Sequence, residues 1–118
     1  MSNQTVTANS ITVHGRGSLI LPFRLNNDQG SQTDISGWPL YFEIDGIPIR
    51  ERLQPDPGNP LGQVIVLERA QVEMLSKQPY DFALIDERQA AADIFTVLWT
   101  GKISRTGYKG APDGVAGV

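Results

Sequence analysis

Apolar residues recur at every second position in several segments of this chain, and only one stretch, ERAQVEMLSK at 68–77, has the three- and four-residue spacing of a helix. Strand side chains alternate between faces, so this period confines the fold to sheets that each bury one side. No helix-length segment joins successive strands, which predicts an antiparallel β-sandwich of about seven strands with one short helical turn.

The first clear segment starts at Ser18, with Leu19, Leu21, Phe23 and Leu25 on one face and Ile20, Pro22 and Arg24 on the other, and ends in the polar turn NNDQG. A second places Trp38, Leu40, Phe42 and Ile44 on one face. If Asp45-Gly46 forms a two-residue type I′ loop, Ile44 pairs with Ile47, Phe42 with Ile49, Leu40 with Glu51, Trp38 with Leu53 and Tyr41 with Arg50. Pro48 then opposes Glu43 with no N–H to offer, so this second strand is expected at a sheet edge.

The connection QPDPGNPLG blocks both helix and ladder, and the following QVIVL, apolar on both faces, reads as a central strand. In the helical stretch Ala70 and Met74, with Leu67 or Val72 and Leu75, form the expected apolar side. YDFALID and IFTVLWTGKIS read as a long hairpin, with Phe95, Val97 and Trp99 sharing one face. Residues 1–10 and 109–118 lack such patterning and are expected as a flexible arm and tail around one domain at 11–108.

The net charge of −3 leaves no basic footprint for nucleic acid or an anionic membrane. The chain has no cysteine, which excludes disulfides, thiolate metal sites and cysteine nucleophiles. MSNQTVTANS has no basic segment followed by an apolar run, so a protein that is soluble, or released without a signal peptide, is expected.

No local constellation signals an enzyme, a cofactor or a metal. His14 is the only histidine, the carboxylates are scattered, and NNDQG lacks the spaced acids and closing Glu of a calcium loop. Trp38, Phe42, Phe82, Phe95 and Trp99 sit at strand spacing and are expected in the core rather than on a sugar-stacking platform. Partner contact is expected at Tyr41, Pro48, Arg50 and Arg52, because Arg and Tyr are enriched at interfaces; an edge strand that uses charge to prevent aggregation explains the same residues.

The order of these pieces resembles the immunoglobulin-like modules of tailed-bacteriophage structural proteins, such as baseplate upper proteins and the N-terminal domains of fibres. The matching motifs are GSLILPFRLNNDQG, DISGWPLYFEI, GQVIVL, AQVEMLS, YDFALID and VLWTGKIS, spanning Gly17 to Ser104. Two features depart from the pattern: IPIRERLQPDPGNP is unusually proline-rich, and no shaft, coiled coil or receptor-binding domain follows before Val118. The resemblance implies an immunoglobulin-like β-sandwich in a non-enzymatic virion protein, a tail or baseplate adaptor that connects fibres through homo-oligomeric or otherwise symmetric contacts with other virion proteins. It would be made in the host cytoplasm and sit on the particle exterior. The alternatives are a capsid decoration protein and a carbohydrate-binding β-sandwich, the latter requiring exposed Trp side chains; contact with a host glycan has no motif to support it.

Overall fold

The computed structural model describes residues 4–15 and 17–106. The tail expected at 109–118 lies outside them. In chain order the strands are β1 (Gln4–Thr7), β2 (Ser10–His14), β3 (Leu19–Phe23), β4 (Leu25–Asn26), β5 (Gln32–Thr33), β6 (Leu40–Ile44), β7 (Ile49–Arg52), β8 (Gln54–Asp56), β9 (Asn59–Leu67), β10 (Tyr80–Asp86) and β11 (Thr96–Thr106). A short helix α1 (Arg69–Val72) and a 3₁₀ turn (Ala90–Ala92) complete the set.

The larger sheet has the order β1-β2-β11-β10-β6-β7, the smaller one β3-β9-β8, with β4 and β5 as a separate two-stranded ribbon. The arrangement is that of an immunoglobulin-like sandwich. Strands β3, β9 and β8 take the places of B, E and D, β7, β6, β10 and β11 those of C′, C, F and G, and β2 runs parallel to β11 as the one parallel pair described. Strand β9 is central in its sheet, as its two apolar faces predicted, and β7 ends the larger sheet, as expected of an edge.

Facing sides of the sheets supply the core: Ile11, Val13, Leu40, Phe42, Ile44, Phe82, Leu84 and Ile103 from one, Leu19, Ile65 and Leu67 from the other. Two polar side chains are buried among the described residues, Gln63 and Asp86. Gln63 on β9 is 2% exposed, and its Nε2 donates to the carbonyls of Ile35 (2.6 Å) and Trp38 (2.9 Å), fixing the turn before β6 against the opposite sheet.

Several local expectations need correction. The β6–β7 register is offset by two residues: Ile44 pairs with Ile49, Glu43 with Arg50, Phe42 with Glu51 and Tyr41 with Arg52. The loop is Asp45–Pro48, with Gly46 at φ +95°, so Pro48 is kept out of the ladder altogether. An even offset leaves every side chain on its expected face and brings Leu40 beside Leu53, whose N–H donates to the Leu40 carbonyl at 2.9 Å. Glu51, the one charge on that face, accepts from Gln71 Nε2 at 2.7 Å.

Helix α1 buries Val72, followed by Leu75, while Ala70 and Met74 are exposed. Its first turn is closed by Gln71, whose Oε1 accepts from the Glu68 N–H at 2.8 Å. Residues 4–10, expected as part of an arm, form β1 and the start of β2. This hairpin is held by its ladder and by hydroxyls, including Thr7 Oγ1 to Ser10 Oγ at 2.6 Å; β1 buries little, so hydrophobic periodicity does not reveal it.

Candidate functional site

Strands β6, β7, β10 and β11 present their outer face to solvent, and residues paired across strands share a face. One row therefore runs Arg52, Tyr41, Ile85, Val97 and the next Arg50, Glu43, Ala83, Thr100. Of the four residues predicted for partner contact, three meet here: Tyr41, Arg50 and Arg52. Pro48 lies apart, in the exposed loop at the end of the hairpin, where with Glu43, Arg50 and Asp81 it borders a depression of about 560 Å³.

Arg50 is firmly placed. Its guanidinium lies 3.9 Å above the Tyr41 ring centroid, while Nη1 donates to Glu43 (3.1 Å) and Nη2 to Glu87 (2.7 Å). Arg52 has no ion-pair partner among the described residues.

The apolar half of this surface was not foreseen. Phe95 and Val97, expected in the core, are 51% and 53% exposed. A β-bulge is responsible: Leu84 pairs with Trp99 but Ile85 with Val97, leaving Leu98 as an extra residue on β11. Leu98 and Trp99 both pack on the core, and every residue before them is shifted to the opposite face. The loop then turns at Asp93, whose φ of 62° makes it the one non-glycine residue with positive φ described, and leaves Ile94 48% exposed.

Both tryptophans are half-buried. Trp38 is covered by the Arg88 guanidinium, 3.4 Å from its ring centroid. Trp99 lies edge-on to Phe82 at 4.8 Å, stacks with Phe23 at 6.3 Å, and donates through Nε1 to the Ala8 carbonyl at 2.8 Å. A sugar ring stacking on that face of Trp38 would first have to displace Arg88.

Arg88 is in turn held by Asp86, which is 5% exposed and accepts Arg88 Nε at 2.9 Å and the Arg88 N–H at 3.0 Å. The side-chain hydrogen bond from Arg88 lowers the Asp86 pKa below its ordinary 3.8, outweighing the opposing effect of burial. Because the folded pKa lies below the unfolded one, this carboxylate stabilises the fold above pH 3.8 and the contribution is lost as pH falls through the folded value. Asp86→Asn is expected to lower stability at neutral pH and to flatten the pH dependence at the acid end, measured as urea midpoints from pH 7 downwards. A midpoint curve parallel to wild type at every pH contradicts the assignment.

His14 is exposed, with Nε2 2.8 Å from Thr5 Oγ1. In NNDQG the Asn27 side chain accepts the N–H groups of Gln29 (2.9 Å) and Ser31 (3.0 Å), the work of a polar turn. Among the described residues no three His, Asp or Glu side chains are grouped to hold a metal ion, and no helix is long and apolar enough to cross a membrane. No protein-family model, curated protein or solved structure matches this chain.

Proposed function

We propose that this chain is a non-enzymatic structural protein of a tailed bacteriophage, an immunoglobulin-like adaptor in the tail or baseplate that joins fibres to their neighbours through symmetric protein–protein contacts. The observation that carries the contact role is the half-exposed apolar strip of Phe95 and Val97, continued by Ile85 and Tyr41 on the outer sheet face. Apolar side chains grouped on such a face, with arginines at the margin, have the make-up of a contact surface rather than of a catalytic cleft. The particle context is supported by the motif order alone. A capsid decoration protein uses the same kind of surface, whereas a carbohydrate-binding role is disfavoured because both tryptophans are half-buried and Trp38 already stacks on Arg88.

Immunogold labelling with antibody raised against the purified chain tests this on particles produced from the genome that encodes it. Label at the tail end is expected. Label spread over the head replaces the adaptor with a decoration protein, and absence of the chain from gradient-purified particles overturns both.

A further inference from the structure

The outer face of β11-β10-β6-β7 is self-complementary, and we infer that it docks a second copy of this chain across a twofold axis. The inference rests on the contact role proposed above and names the partner of that surface. The row Val97, Ile85, Tyr41, Arg52 is apolar at the β11 end and cationic at the β7 end. Beyond Val97, on the same side of the bulge, stand Phe95 and the loop residue Asp93, an exposed acid with no ion-pair partner among the described residues. Arg52, at the opposite edge, is equally unpaired. Acid and base at the two ends of one apolar row are the charge pattern that a twofold converts into two identical contacts.

With the axis parallel to the strands, lying between the two outer faces above the gap between Ile85 and Tyr41, the β11 end of each copy overlies the β7 end of the other. Ile85 then meets the second copy's Tyr41, and Val97 and Phe95 cover the aliphatic stem of its Arg52, whose guanidinium reaches Asp93. Arg50 takes a supporting part, since Glu43 and Glu87 hold it flat on Tyr41 and stiffen that ring as a platform. The strands are spaced by about 4.8 Å, so four of them make a face only about 14 Å across, which places the dimer at the weak end of specific interfaces. Such a contact closes when copies are concentrated on a symmetric assembly.

Sedimentation equilibrium of the full chain from about 1 μM to about 1 mM covers the range in which a dimer of this size forms. A monomer–dimer equilibrium is expected, with Val97→Glu monomeric throughout and its circular dichroism unchanged. Arg52→Asp and Asp93→Arg, each alone, place like charges at both contacts and are expected to weaken the dimer about tenfold. Mixed one to one, these two variants re-form both pairs, so a heterodimer of wild-type strength is expected. That rescue is peculiar to this twofold. Wild-type chain that stays monomeric to the highest concentration, a dimer indifferent to Val97→Glu, or single variants that no mixture restores overturns the inference. A monomeric chain that still labels particles defeats this dimer and leaves the adaptor role standing; a twofold dimer absent from particles does the reverse.

Discussion

Phe42→Ala is expected to lower the free energy of unfolding by about 3–5 kcal/mol, the range for removing a buried aromatic ring from a packed core. Phe42 is fully buried in β6 and begins a run of rings that ties the two sheets together. Its centroid is 5.4 Å from Phe82 on β10, Phe82 is 4.8 Å from Trp99 on β11, and Trp99 is 6.3 Å from Phe23 on β3 of the opposite sheet. Truncation removes the ring's transfer free energy and leaves a cavity that β6, flanked by strands on both sides, cannot collapse to fill. Domains of this size are stable by only about 5–15 kcal/mol, so the variant retains a small margin or none. Chemical denaturation followed by Trp fluorescence measures the loss, and Trp99 reports it directly. A loss under about 1 kcal/mol contradicts the packing described.

Elements whose signal is local were legible in the sequence. The faces of β3, β6 and β10 follow from alternation over five to seven residues, and β9 was recognised as central because Val64, Ile65 and Val66 leave no polar side. Tyr41, Arg50 and Arg52 were placed together because outward positions on a hairpin stay outward under the two-residue register offset that the structure shows.

What was not legible depends on chain segments distant in sequence. An Asp-Gly pair is compatible with both a two-residue and a four-residue loop, and the choice follows from keeping Pro48 out of the ladder and setting Leu40 beside Leu53. The bulge at Leu98 has no local marker: IFTVLW is apolar at both parities, and only the pairing with Leu84 and Ile85 decides which parity faces inward. For that reason the sequence pattern alone points Phe95 and Val97, which are 51% and 53% exposed, into the core. Strand β1 was missed because exposed Thr and Val residues held by a ladder carry no burial pattern.

Gly101→Ala is expected to destabilise the protein by about 1–3 kcal/mol at the least, the usual range for overpacking. Gly101 lies in β11 opposite Phe82, where the turn between β1 and β2 crosses the strand and the Lys102 N–H donates to the Asn9 carbonyl at 3.0 Å. A Cβ at this position would land on the backbone carbonyl group of Asn9, which has no flexible end to move aside. The turn must lift, and with it go the Lys102 hydrogen bond and the acceptor of Trp99 Nε1 at Ala8. The parallel pairing of β2 with β11 begins at Ser10 and Lys102, so the disturbance enters the ladder that holds Ile11 and Val13, both fully buried. A red shift of Trp99 emission is expected together with the lower midpoint. Gly37→Ala is the matched control: nothing lies within 4 Å of a Cβ there, so its effect is expected to be neutral or slightly stabilising through the unfolded chain. Equal midpoints for the two variants contradict the close approach of Asn9 to β11, and with it the place of the N-terminal hairpin in the larger sheet.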